Sequence, residues 1–186
     1  MDYYNENDPY AAQWLRNLIA AGHLPNGYVD ERSITEVTAL DLANYETCHF
    51  FAGIGVWSAA YYAQPWRTRS GQDWTGSCPC QPFSSAGGGA GFDDDRHLWP
   101  VWQRLIAQCK PAIVFGEQVA SKLAEPWIDA VFADLEALEY ACGAVAFPSA
   151  SVGAPHIRDR LYWMGQADDA GLQKHWQSGN VHLRQQ

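Results

Sequence analysis

Residues 76–85 read GSCPCQPFSS and set two thiols, Cys78 and Cys80, on either side of one proline. A thiolate can hold a soft metal, exchange with a second thiol, or attack an electrophilic carbon. A structural zinc needs a spaced set of four ligands. This pair is one residue apart, the chain has no Cys-x-x-Cys, and His97 is the nearest downstream histidine, so no metal site is expected. The thioredoxin-like redox spacing is absent for the same reason. Taken alone, the residues leave Cys80 as either a nucleophile or an inert buried cysteine, and Cys78 reads as small packing.

Other residues with chemical potential lie downstream. Glu117 follows the apolar run AIVFG (112–116) and so belongs at the carboxyl end of a strand, where open α/β sheets collect ligands. Arg158 and Arg160 stand two apart in an extended stretch, which points both side chains to one face. Arginine suits clamping of phosphate or carbonyl oxygens, and a salt bridge is the plainer use. Ser84 and Ser85 could donate hydrogen bonds to phosphate. Upstream, Gly53 and Gly55 in FFAGIG allow a tight turn against a ligand.

These residues need elements to position them. DYYNE (2–6) reads as a short strand ending in acid, and Pro9 opens a helix after Asp8. Tyr10, Trp14, Leu15, Leu18 and Ile19 recur at helical spacing until Gly22. YETCHFFA (45–52) is extended, the glycine turn breaks it, and VWSAAYYA restarts as a helix. DWTG leads into the cysteine loop, and SAGGGAGFDDD is a glycine-rich loop. Leu98–Cys109 and Pro126–Tyr140 have helical apolar stripes, AIVFG reads as a buried strand, and CGAVAF and RLYWMG add two more. Strands alternating with helices predict an α/β sheet with helices on both faces. The domain is expected over 1–165, with a polar tail over 166–186.

Five segments now carry a resemblance. PCQPFS (79–84) resembles the catalytic loop of the DNA cytosine-5 methyltransferases, FAGIG (51–55) their S-adenosylmethionine loop, and AGGGAGFDDDRHLW (86–99) their mobile active-site loop. GEQV (116–119) stands where that family has Glu-Asn-Val, and APHIRDRLYWMG (154–165) is similar to its Gln-x-Arg-x-Arg segment. The resemblance implies a Rossmann-like S-adenosylmethionine-dependent methyltransferase sheet and methyl transfer to C5 of cytosine in DNA. It implies Cys80 as the nucleophile that bonds C6, Glu117 at N3 and the exocyclic amine, and Arg158 and Arg160 holding the base and the catalytic loop. Phe51, Gly53, Ile54 and Gly55 become cofactor-binding residues. Glu6, in YNENDPYAA, resembles the acid that binds the cofactor's ribose hydroxyls, and Ser33, in RSITEV, takes the place of an aspartate that contacts the adenine amine.

Several positions depart from the pattern: His49 for an acid, Val56 for glycine, Gln118 for asparagine and His156 for glutamine. The order departs too. The segments around Glu6 and Ser33 precede the glycine loop instead of following it, which implies a rearranged connection between the same sheet positions.

Composition narrows the partners. A net charge of -9 gives little non-specific grip on nucleic acid. No secretory signal or membrane-spanning run is apparent, so a cytoplasmic protein is expected. Five cysteines without a disulfide-like rhythm point to reduced thiols. The resemblance stops near Gly165, before a target-recognition region. DNA bearing the target cytosine is therefore the expected partner, with a second chain for target recognition, or a self-contact giving a homo-oligomer, in prospect. Alternative readings are a non-catalytic or partner-dependent cofactor-binding remnant, and a minimal enzyme for single-stranded DNA or a free cytosine nucleotide, where extruding the base costs little.

Overall fold

The computed structural model describes residues 1–64, 72–79, 98–120 and 125–167. Its strands are β1 (Asp2–Asn5), β2 (Gly27–Asp30), β3 (Thr47–Phe50), β4 (Asp73–Gly76), β5 (Ile113–Val119), β6 (Tyr140–Pro148) and β7 (Asp159–Ala167). Its helices are α1 (Pro9–Ala20), α2 (Ala39–Leu42), α3 (Val56–Ala63), α4 (Trp99–Cys109) and α5 (Glu125–Ala137). The strands form one sheet in the order β2-β1-β3-β4-β5-β7-β6. β1 to β5 run parallel, and β7 is antiparallel to both β5 and β6. This is the expected α/β architecture, with helices on both faces.

Strand alternation divides the core into two chemically different layers. Tyr3, Cys48, Phe50, Trp74 and Val114 point to one face and bury against α2, α4 and α5. There Trp99, Trp102, Trp127 and Trp163 pack edge to face, with ring centroids 5.9 to 6.5 Å apart. The opposite face joins Tyr4 and Val29 to Ala12 and Leu15 of α1. Beside them, under α3, the same face is polar. His49 Nδ1 is 2.7 Å from Thr75 Oγ1, the Tyr62 hydroxyl donates to Asp2 (2.8 Å), and the Tyr61 hydroxyl donates to Asp73. Tyr4 and Ser58 hydroxyls meet at 3.0 Å. These pairings satisfy most of the polar groups that would otherwise be costly to bury; Asp2 Oδ2 and His49 Nε2, 3.4 Å apart, have no hydrogen-bond partner among the described residues.

Local chemistry explains several element boundaries. Asp8 caps α1 by accepting from the Ala11 amide (2.8 Å), Pro9 occupies the first turn, and Gly22 follows the helix in the left-handed region (φ 75°). The buried stripe of α1 differs from the expected one. Ala12 and Leu15 are buried, while Tyr10 and Trp14 are 77% and 44% exposed. The predicted helix over 126–140 ends earlier, at Ala137. Glu139 turns left-handed (φ 67°), and Tyr140 opens β6 with its hydroxyl donating to the Pro111 carbonyl (2.6 Å). β2 was not evident in the sequence: it closes at Asp30, and beyond it Ile34–Glu36 of the run RSITEV form one 3-10 turn. Among the described residues no helix is long and apolar enough to cross a membrane.

Candidate active site

The parallel strands end at one edge, and the glycine loop is built there by β3. Phe51 (φ 52°), Gly53 (φ 54°) and Gly55 (φ 82°) all adopt the left-handed region. Glycine does so without strain, and a Cβ on Gly55 would also meet Leu24 Cδ1 at 2.4 Å. The Ala52 amide donates to the Asn5 carbonyl at the end of β1 (3.0 Å), which ties the loop to the neighbouring strand. Glu6, one residue past β1, completes the tie: Oε2 accepts from the Gly53 amide (2.7 Å) and Oε1 from the Asp8 amide (2.9 Å). A carboxylate distant in sequence is thus fixed beside the loop. Ile54 and Val56 remain 54% and 66% exposed along its outer side.

Ser33 lies beyond β2 and caps the following turn. Its Oγ accepts from the Thr35 hydroxyl (2.8 Å) and amide (3.3 Å), and its amide donates to Glu36 (3.1 Å). Sequence reasoning passed over its neighbours. Asp30, buried at the end of β2, accepts from Tyr3 (2.8 Å) and from Arg32 Nε (3.0 Å) and NH2 (2.6 Å). Arg32 also reaches Asp41 at 3.2 Å. Burial pushes the Asp30 carboxyl up, but the bonds from Arg32 and Tyr3 outweigh it and hold the carboxyl below its ordinary range. The only sequence signal was an Asp-x-Arg spacing with no strand assigned to it.

At the other end of the edge, Glu117 and Arg160 are brought together. β5 pairs with β4 only as far as Gly116; beyond it, Glu117, Gln118 and Val119 pair with Tyr162, Leu161 and Arg160 of β7 alone. Arg160 sits diagonally across the ladder from Glu117, and its Nε forms an ion pair with Glu117 Oε1. Both side chains stay about one-fifth exposed, at 18% and 22%, so the pair lines a surface that a ligand can reach. Arg158 stands outside β7, exposed, with its carbonyl accepting from Ser149 N (3.0 Å) and Oγ (2.9 Å). It does not join the Glu117–Arg160 pair. Gln118 is buried, accepts from the Val119 amide (2.9 Å), and its Nε2 has no hydrogen-bond partner among the described residues.

β4 delivers Ser77, Cys78 and Pro79 to the same edge, between the glycine loop and Glu117. Cys78 is buried in the main core, and burial pushes its thiol far above the ordinary range, which suits packing and not attack. Cys80, the two serines at 84 and 85 and the glycine-rich segment as far as residue 97 lie outside the described residues, as does the tail from residue 168. Among the described residues no cluster of His, Cys, Asp or Glu could hold a metal ion.

Comparison with known proteins adds independent information. Residues 74–186 match the family model for C-5 cytosine-specific DNA methylases. The type II methyltransferase M.AplI of Arthrospira platensis is 33% identical over 89 residues, which is 47% of this chain and 26% of that protein. M.HhaI of Haemophilus parahaemolyticus is 31% identical over 99 residues, 51% of this chain and 30% of that protein. The matched stretches thus span less than a third of these relatives. In fold, the S. pombe Dnmt2 methyltransferase superposes with a TM-score of 0.54 at 12% identity, covering 100% of this chain and 57% of that one. The Entamoeba histolytica methyltransferase EhMeth gives 0.54 at 15% identity, with 100% and 57% coverage. The sheet is therefore the one shared by S-adenosylmethionine-dependent methyltransferases, and with more than half of its length matched by the family model, the chain belongs to the C-5 cytosine-specific DNA methylase family.

Proposed function

We propose that this chain transfers a methyl group from S-adenosyl-L-methionine to C5 of cytosine in DNA, through a covalent bond between Cys80 Sγ and C6. The observation that carries this reading is the shared edge: the Glu6–Gly53 contact, the root of the cysteine loop and Glu117 all lie at the carboxyl ends of adjacent parallel strands, and Arg160 reaches Glu117 from the start of antiparallel β7. Residues there fit the cofactor. Phe51, Gly53, Ile54 and Gly55 form a turned, open backbone, the Glu6 carboxylate suits vicinal hydroxyls, and Ser33 keeps a hydroxyl near the end of β2. Bound there, S-adenosyl-L-methionine supplies an electrophilic methyl on a sulfonium.

The protein's own groups handle the base. Cys80 attacks C6 as a thiolate, forming the S–C6 bond and moving the C5–C6 electron pair onto C5. The cofactor, held at Glu6 and the glycine loop, would supply its methyl group to that carbon and leave as a neutral thioether. Solvent water takes the C5 proton, the C–H electron pair re-forms the C5–C6 double bond, and the thiolate leaves C6, which restores the ring. Glu117 accepts from the exocyclic amine and holds a proton at N3, which offsets the negative charge that builds there, and Arg160 fixes the orientation of the Glu117 carboxyl group. Arg158, exposed at the entry of β7, is assigned to the DNA side.

We further infer that the family's sheet positions are visited in another order. In support, β1 with Glu6 lies beside β3 and its glycine loop, although it precedes them in the chain and is followed by β2 on the outer side. With a net charge of -9, the choice of DNA site is assigned to protein surface beyond these residues, in the same protein or a second chain.

The test is incorporation of labelled methyl groups into mixed-sequence DNA, duplex and single-stranded, beside Cys80→Ala. Label in cytosine that disappears in the variant supports the proposal. Label that persists in the variant overturns the covalent route, and failure to bind the cofactor overturns the activity.

A further inference from the structure

One tryptophan connects parts of this edge that the sequence treats as separate. Trp57 is the second residue of α3, two residues after Gly55. Its Nε1–H donates to Ser77 Oγ (2.9 Å), one residue past β4 and three residues before Cys80. Its ring stacks on Phe115 of β5 (centroids 6.4 Å, 26°) and meets Tyr162 of β7 edge-on (6.3 Å, 77°). Phe115 is two residues before Glu117 and Tyr162 two after Arg160, and Tyr162 is the ladder partner of Glu117. A single rigid side chain thus touches the root of the cysteine loop and both strands that carry the ion pair, while its own backbone continues the glycine loop.

Packing alone accounts for the ring contacts, since any large aromatic would fill that space. It does not account for the hydrogen bond. The indole N–H is the donor a phenylalanine lacks, and its acceptor is the first residue of the segment that leaves the sheet for Cys80. Trp163 and Trp102, by contrast, are buried with their indole nitrogens unpartnered among the described residues, so this fold does not require such a bond of every tryptophan.

We propose that Trp57 is a positioning residue: its bond to Ser77 sets the point from which the cysteine loop departs, relative to the glycine loop and the Glu117–Arg160 pair. Its catalytic consequence rests on the reading of Cys80 as the nucleophile, but the bond itself does not.

The test is therefore the iodoacetamide alkylation rate of Cys80 in the cofactor-free protein, resolved from the other cysteines by peptide mass spectrometry. Trp57→Phe keeps the ring and loses the donor; Ser77→Ala loses the acceptor; Ser77→Thr keeps a hydroxyl. Both loss variants are expected to change the Cys80 rate by about fivefold, equivalent to ~1 kcal/mol at the free energy of one decade. The double variant should match either single, Ser77→Thr should keep the wild-type rate, and Cys109 and Cys142 should be unaffected. A Cys80 rate equal to wild type in both Trp57→Phe and Ser77→Ala overturns the proposal. So does a change that also appears at Cys109 and Cys142, which would report general loosening. Loss of methyl transfer in wild type would reject the proposed activity and leave this result standing.

Discussion

Gly116→Ala should be among the most damaging single-methyl additions in the sheet. A Cβ at this position would lie 2.1 Å from Trp163 Cε2 and Cζ2 and 2.5 Å from its Nε1. An ordinary carbon contact needs roughly 3.5 Å or more, so the indole must move by over about 1 Å. It has little room to do so: Trp163 is buried and held by Trp99 and Trp102 at 5.9 Å and by Trp127 at 6.5 Å. Overpacking of this kind costs about 1–3 kcal/mol, and the aromatic cage argues for the upper end. Reduced unfolded-state entropy returns roughly 0.5–1 kcal/mol. The net loss is about 2 kcal/mol, or roughly 4–8 °C in melting temperature for a chain of this size. Urea and thermal unfolding, followed by tryptophan fluorescence, would measure it. Trp163→Phe removes the colliding atoms and a buried N–H that has no partner among the described residues, so the double variant should cost less than the sum of the singles. A Gly116→Ala protein that melts within about 1 °C of wild type, or strictly additive singles, would refute this packing argument.

Three further outcomes follow from the site and its supports. Asp30→Asn should lower stability at pH 7 by about 1 kcal/mol, a figure held down by the partial exposure of Arg32. Because the folded state holds the Asp30 carboxyl below its ordinary value, that contribution is present above the unfolded value and lost as pH falls through the folded one. The variant's stability should therefore fall less steeply on acidification, as urea midpoints from pH 7 to 3 would reveal. Glu6→Gln should weaken S-adenosyl-L-methionine binding by roughly tenfold in calorimetry, since it removes the carboxylate that holds the Gly53 amide. Cys48 and Cys78 should resist a thiol reagent at pH 8 until the protein unfolds, because burial raises both thiols; rapid labelling of either in the native state would contradict the core described above.

The sequence determined what is local. The Asp8–Pro9 cap, the strand-turn-helix around Gly53 and Gly55, and the apolar strand before Glu117 were all legible, because capping, glycine conformation and burial periodicity act over a few residues. So was the family, through short segments whose residue types are tied to one chemistry. Other features depended on contacts distant in the chain. β2, four residues with a glycine and an aspartate, becomes a strand because β1 pairs with it and Tyr3 and Arg32 satisfy Asp30. Tyr10 and Trp14 fit the helical spacing yet face outward, since the stripe of α1 that meets the sheet runs through Ala12 and Leu15, with Leu18 and Ile19 packed beside them. Whether Arg158 or Arg160 meets Glu117 was decided by the antiparallel register of β7 on β5, which no spacing within either strand specifies. The same holds for Glu6 at Gly53 and for Trp57 at Ser77: each joins residues that only the order β2-β1-β3-β4-β5-β7-β6 brings side by side. Side-chain type is written in the chain, but which types meet depends on long-range strand pairing, whose energy is shared across the whole sheet.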